Sequence, residues 1–365
     1  MRSEERIMVL KLVLICFVCQ MALFADERGV NTDATSSYDT DEVHDYLSRK
    51  VLIFSSNLDQ IFSGGFEEDQ NASFDADRRF SGAIGKQTKY RETYQAAAWF
   101  DDFFKDENYL DIKNKSFVKV QGGYLYDKRG DSALYNKISA RIKLPRTQEK
   151  LQIFIGDDVQ EGGVVSKARH AATNEGIGVK YYLPLYGRLF SNASLGLSGI
   201  DNPYIKTHLE YPILMGRWLF KANQNFKYSA ETEFDEWTDL YFDRKLSDKE
   251  LIRILFQRST NNRIKGMDYL TQVSYMNMLN NGVGYSYYIA ANGRTKDLSD
   301  TTYENGSHPQ EGVYNYSLGV VWRQQLVKEY LFYQIEPILS YHEQYDYRPN
   351  YLLRCTIDLY FGYKQ

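Results

Sequence analysis

Tyr351 to Tyr363 reads Y-L-L-R-C-T-I-D-L-Y-F-G-Y. Leu353, Cys355, Ile357, Leu359, Phe361 and Tyr363 share one parity, and Arg354, Thr356, Asp358, Tyr360 and Gly362 share the other. A period of two is that of a β-strand, because successive side chains point to opposite faces. One face is apolar and ends in aromatics; the other carries charge. A strand standing between lipid and a wet lumen has this form, and so does a strand in a water-soluble sheet.

The same alternation recurs upstream from Ser116 almost without a break. Strands are expected at 116–127, 133–144, 150–157, 176–183, 188–197, 204–212, 218–229, 236–244, 250–259, 267–279, 283–291, 313–324, 330–343 and 351–363. Most are about ten residues long, which suits a tilted strand crossing a bilayer.

Counted back from the C-terminus, long and short connections alternate. Residues 344–350 are a long connection and 326–329 a short one; 292–312 is long and 280–282 tight; 260–266 is medium and 246–249 short. Residues 158–175 form a long connection between the short 145–149 and 184–187. Tight turns at one rim and longer loops at the other mark outer-membrane barrels. The first hairpin departs from the pattern, because 128–131 is short on the long-loop side.

The faces agree from strand to strand. Leu134, Ile138, Ala140, Ile142 and Leu144 oppose Tyr135, Lys137, Ser139, Arg141 and Lys143. Phe220, Ala222 and Phe226 oppose Lys221, Asn223, Asn225 and Lys227; Tyr314, Tyr316, Leu318, Val320 and Trp322 oppose Asn315, Ser317 and Gly319. Aromatics of the apolar face gather near strand ends. Tyr126, Tyr314, Tyr316, Tyr341 and Tyr351 are expected at the outer rim, and Trp218, Trp322, Tyr333, Phe361 and Tyr363 at the inner rim. Aromatic rings favour both membrane interfaces.

Over about two-thirds of its length, 116–365, the chain resembles Gram-negative outer-membrane β-barrel proteins of the porin-like kind. The likeness lies in pattern, not in a motif. It implies an all-β fold: an antiparallel transmembrane β-barrel of about 14 strands, with an N-terminal helical segment. It also implies outer-membrane lipid and the barrel assembly machinery as partners, and small solutes if the barrel is a channel. Such proteins end on an aromatic that the machinery reads; here Phe361-Gly362-Tyr363 is followed by Lys364-Gln365.

Composition fits. The chain has 365 residues, with 31 Tyr and 20 Phe against 7 Pro, favouring strands. A mean hydropathy of -0.51 excludes a bundle of membrane helices but not a barrel, whose strands are only half apolar. The net charge of -4 gives no reason to expect nucleic acid. Of the three Cys, Cys16 and Cys19 lie in the N-terminal apolar run, so removal of that run leaves Cys355 alone. No Cys/His spacing suggests zinc, and neither a metal nor a cofactor is expected.

Residues 1–25 read as a signal peptide, with an apolar core from Leu12 to Phe24 and cleavage near Ala25, ahead of Asp26 and Glu27. Arg2, Glu4, Glu5 and Arg6 give a mixed-charge start, and translation from Met8 gives a cleaner one. The uncleaved-anchor alternative has a core short for a bilayer. The expected location is the outer membrane. Residues 26–41, rich in Asp, Thr and Ser, are expected to be a disordered linker. Residues 42–110 are expected to be a helical plug or periplasmic segment. Val43, Tyr46, Leu47, Phe54, Leu58, Ile61 and Phe62 recur at helical spacing, and a second helix is expected over 91–104.

No grouping reaches the strength of a catalytic motif. His342 with Ser340 and Glu336 on one parity is the best hydrolase candidate, and no catalytic residue is assigned. The expected lumen-lining residues are basic Lys137, Arg141, Lys143, Lys221, Lys227, Arg253 and Arg354, and acidic Glu210, Asp239, Asp243, Glu336 and Asp358. They either pair across the lumen and fill it or line a wet path. The leading functional expectation is a diffusion channel for small polar or anionic solutes. The alternatives are a non-conducting structural or adhesion barrel and an outer-membrane hydrolase of lipid or peptide.

Overall fold

A computed structural model describes residues 40–63, 96–97, 99–100, 103–104, 116–144, 147, 151–156, 176–183, 189–199, 202–230, 233–262, 266–280, 282–296, 309–326 and 330–362. Fourteen antiparallel strands follow in chain order. They are β1 (Phe117–Asp127), β2 (Ala133–Lys143), β3 (Leu151–Gly156), β4 (Gly176–Tyr182), β5 (Phe190–Ser198), β6 (Asn202–Met215) and β7 (Trp218–Ser229). Then come β8 (Glu233–Ser247), β9 (Glu250–Asn261), β10 (Asp268–Asn280), β11 (Val283–Arg294), β12 (Gly312–Gln325), β13 (Leu331–His342) and β14 (Pro349–Phe361). Each strand pairs with its sequence neighbours, and β1 pairs with β14 from Val118↔Phe361 to Asp127↔Leu352, which closes the barrel. Closure leaves no sheet edge with unpaired backbone groups, the requirement for a sheet in lipid. Among the described residues no helix is long and apolar enough to cross a membrane.

Burial alternates along the strands as the residue pattern does. On β8, Trp237, Asp239, Tyr241 and Asp243 are buried while Thr238, Leu240 and Phe242 between them are more exposed. The shielded parity of a closed barrel faces inward. Its opposite carries Leu195, Ile205, Ile289, Leu318 and Ile357, all exposed to the surroundings and suited to lipid.

Tight turns such as 216–217 and 248–249 sit at the rim shared by the start of β1 and the end of β14, here the terminal rim. In the second of these, Lys245 Nζ lies 2.6 Å from Asp248 and, through that hydrogen bond, holds its carboxyl below the ordinary value. The strand ends that flank the long connections 157–175 and 295–311 are at the far rim. On the same side, β5 and β6, and β7 and β8, are joined by only a few residues.

Helix α1 (Thr40–Ser63) crosses the terminal rim. His44 Nε2 lies 2.8 Å from the Tyr360 carbonyl, and its ring stacks on Tyr330 at 3.5 Å. Ser55 Oγ lies 2.8 Å from Ser116 Oγ and donates to the Lys143 carbonyl at 3.2 Å. The buried stripe of α1 is therefore polar: His44, Ser48, Ser55 and Asp59. Within the expected apolar stripe, Val43, Phe54, Ile61 and Phe62 are exposed. The strand ends beneath α1 present backbone carbonyls, and these select hydrogen-bonding side chains over apolar ones.

One face assignment changes, and one outward residue is covered. Tyr314 was expected at the outer rim, but it is the extra residue of a bulge, because Asn315 pairs with Asn292 while Val313 pairs with Gly293. The bulge turns it inward, and the Arg294 guanidinium lies 4.3 Å from its ring. Ile142 keeps the outward parity beside Ile153 but is only 3 % exposed, next to the point where Ser55 meets the Lys143 carbonyl. The expected signal peptide, most of the linker, much of 42–110, His170, His308 and Tyr363 lie outside the described residues.

Candidate functional site: the lumen wall

The register brings inward charges from neighbouring strands side by side. Asp243 on β8 pairs with Arg253 on β9, and the guanidinium donates through Nε at 2.7 Å and NH2 at 3.0 Å to its two carboxylate oxygens. Glu336 on β13 pairs with Arg354 on β14, whose NH1 donates at 2.9 Å. Asp358 accepts from Arg323 at 2.7 Å and from Gln121 at 2.6 Å. Asp239 accepts from Gln257 at 2.8 Å. Glu210 lies 3.9 Å from Lys221 Nζ. Each of the five acidic candidates thus has a basic or amide partner on a nearby strand. Buried charges persist when so paired.

The remaining basic candidates lie on β2 and β7. Lys143 is buried, Lys137 and Arg141 are half-buried, and Lys227 lies over the Tyr204 ring at 4.9 Å. Lys221, fully buried, lies over Tyr241 at 4.8 Å. The same inward parity carries bases outside the expected set: Lys119 on β1, Lys180 on β4 and Lys206 on β6, all buried. The signal for them was available, since each stands beside apolar residues of the opposite parity: Val118 and Val120, Val179 and Tyr181, and Ile205. Arg323 and Arg294 were also legible by parity, since Arg294 continues the parity of inward Tyr288, Ala290 and Asn292 past the expected end of its strand.

The lumen wall is therefore two arcs. From β1 to β7 it is polar and predominantly basic. From β8 to β14 it carries paired charges and apolar side chains. Two apolar clusters lie on that second arc. One contains Leu251, Met276, Met278, Phe332 and Tyr360 together with Phe100 and Phe103; the other contains Tyr241, Leu255, Leu270, Tyr288, Ala290 and Val321, with Phe104 packed against it. Phe100 and Phe103 are among the helical residues 96–97, 99–100 and 103–104, and their rings are set against the inner wall. Phe103 stacks edge-on to Phe332 at 6.4 Å. A Cβ at Gly284 would stand 2.8 Å from Phe103 Cε1, so a residue without a side chain lets the phenyl ring approach the strand.

His342 and Ser340 share the inward parity of β13 but hold other partners. Ser340 Oγ donates to Asn315 Oδ1 at 2.7 Å, and His342 Nδ1 accepts from the Gln344 backbone at 3.1 Å, capping a 3-10 turn at Glu343–Tyr345. Glu336 is engaged by Arg354 and by the Tyr288 hydroxyl. The structure does not join them as nucleophile, base and orienting acid.

A closed fourteen-stranded antiparallel sheet, apolar outside and charged within, is the build of an outer-membrane β-barrel of porin-like form. Solved structures of similar form include OprB of Pseudomonas putida at high pH, with a TM-score of 0.45 and 8% identity over 72% of this chain and 97% of that one. The outer membrane channel DcaP of Acinetobacter baumannii is similar with a TM-score of 0.39 and 9% identity, over 68% of this chain and 96% of that one. The NanC porin is similar with a TM-score of 0.34 and 8% identity, over 66% and 98%. No family model matches the chain, and no curated protein matches it.

Proposed function

We propose that the protein is a diffusion channel for small anionic solutes whose lumen is partly filled by its own residues 96–104. The observation that carries the reading is the uneven wall. On β1 to β7 the inward parity carries Lys119, Lys137, Arg141, Lys143, Lys180, Lys206, Lys221 and Lys227 against the one acidic candidate Glu210. Fixed positive charge in a narrow path with low-dielectric walls lowers the energy of an anion there. Screening acts over about 10 Å at 0.1 M salt, so the preference needs a constricted path. The aromatics of 96–104 on the opposite arc support such a constriction.

The test is the zero-current potential of the purified full chain in a planar bilayer under a salt gradient. The sign of anion preference is expected, and Arg141→Glu should reduce it. Cation preference in the unaltered chain contradicts the reading.

A second reading, a barrel that does not conduct, has its own support. Lys221, Asp243 and Arg253 are at most 1 % exposed, as in a filled core. On that reading the far-rim loops carry a structural or adhesive role. The hydrolase reading has no support in the geometry of His342 and Ser340.

A further inference from the structure

We infer that the outward face of β7, β8 and β9 is a contact surface between two copies of this chain within the membrane. Four polar side chains on that face form a closed ring of hydrogen bonds. Gln224 Nε2 donates to Glu236 Oε1 at 3.1 Å, and Arg258 NH2 donates to the same oxygen at 2.7 Å. Arg258 Nε donates to Thr238 Oγ1 at 3.0 Å, and Thr238 in turn donates to Gln224 Oε1. All four belong to the parity that faces away from the lumen. Gln224 alternates with inward Asn223 and Asn225, Thr238 with inward Trp237 and Asp239, and Arg258 shares the parity of outward Ile254 and Phe256.

The depth of the ring makes it unusual. The outward residues of these strands run from Trp218, capped by Arg244 at 5.6 Å, to Tyr228 and Phe234 at the far rim. A strand rises about 2.5 Å per residue along the barrel axis once tilted. Gln224 and Thr238 therefore lie roughly 15 Å above Trp218, inside an apolar band about 25 Å tall. Below the ring the same face is Phe220, Phe242, Ile254 and Val273, as lipid requires. Arg258 is 52 % exposed there, so its guanidinium is presented to whatever surrounds the barrel. Lipid tails offer no hydrogen-bonding groups, and ionisable groups at membrane depth are expensive unless a partner meets them.

The occupant follows from charge. A patch made for the phosphates of lipid headgroups needs surplus positive charge, but this one is neutral, with Arg258 already bridged to Glu236. A surface carrying one group of each sign is complementary to itself. The ring uses one oxygen of Glu236 and leaves Oε2, and Arg258 retains N–H donors beyond those in the ring. A second copy supplies the matching pair, with the surrounding aromatic and aliphatic side chains closing the contact. A closed symmetric assembly forms from such a surface.

Native mass spectrometry of the full chain from mild detergent tests this, independently of conduction. The unaltered chain should appear as more than one copy. A chain carrying Gln224→Leu, Glu236→Leu, Thr238→Val and Arg258→Leu should remain folded by heat-modifiable gel mobility and fall to the single-copy mass. A chain with the charges exchanged, Glu236→Arg with Arg258→Glu, should assemble with itself but be depleted from mixed assemblies with the unaltered chain. A single-copy mass for the unaltered chain overturns the inference. So do assemblies that survive the apolar variant, mixed assemblies in statistical proportion, or a single copy that carries bound lipid lost on Arg258→Leu.

Discussion

Asp243 and Arg253 face each other across β8 and β9 with two hydrogen bonds, of 2.7 and 3.0 Å, and neither side chain meets water to a measurable extent. Arg253 also lies over the Tyr241 ring at 5.1 Å. Removing one partner strands the other charge in a dry site, which costs about 3–5 kcal/mol. Asp243→Ala should therefore lower the unfolding midpoint of the refolded barrel in urea. The pair change Asp243→Leu with Arg253→Leu should cost less than the single change, because no lone charge remains.

Gly319 and Tyr288 are register partners on β12 and β11, and the Tyr288 ring lies over the glycine. From there its hydroxyl donates to Glu336 Oε1 at 3.0 Å. Gly319→Ala puts a methyl group where the ring sits, and overpacking of this kind costs about 1–3 kcal/mol. The expected result is a lower unfolding midpoint for Gly319→Ala in the unaltered chain and in a Tyr288→Phe background, which keeps the ring, but little further loss when it is added to Tyr288→Ala. Equal midpoints for Gly319→Ala and the unaltered chain would show that the ring is free to move aside.

Val320 lies on the outward parity of β12, opposite Tyr287 on β11. Arginine at a lipid-facing site at mid-membrane costs about 2–4 kcal/mol. Val320→Arg should impair assembly into vesicles, measured as loss of heat-modifiable mobility, while Lys227→Gln on the inward face of β7 should not. Ile142 is the poorer test of the outward face, since it is covered at the terminal rim.

Phe100 and Phe103 hold 96–104 to the inner wall through Leu251, Met276, Met278 and Phe332. Truncating both to alanine removes about 3–5 kcal/mol of packing for each ring fully buried. The segment should then become cleavable by protease in the folded full-length chain while the barrel stays resistant. Unchanged resistance of the segment would remove the clamp from the account.

The barrel was legible because one signal, period two, is sustained through 14 strands, and the observed β7 even shares its bounds, Trp218–Ser229, with the expected strand. Parity also drew Lys221, Asp239, Asp243 and Arg253 onto one side of their strands. What parity leaves out is the neighbour across the register. The Arg253–Asp243 and Arg354–Glu336 pairs come from strand pairing, so the sequence left a filled lumen and a wet path equally open. The bulge at Tyr314 shifts one residue and reverses its face, and the strict alternation of Tyr314, Tyr316 and Leu318 in the sequence hides it. For α1, helical spacing revealed an apolar stripe but not the carbonyls at the strand ends, which bind His44 and Ser55 instead. The ring at Gln224, Glu236, Thr238 and Arg258 stood within the expected strands as ordinary polar exceptions, and only their hydrogen bonds give them meaning.

The central claim is that this barrel conducts, with residues 96–104 narrowing its lumen. Ion conductance in a planar bilayer, compared between the full chain and a chain lacking residues 26–108, tests it most directly. The account predicts current through both proteins, larger through the truncated one. No conductance from either protein, with both refolded by heat-modifiable mobility, would contradict the channel and leave the structural barrel in its place.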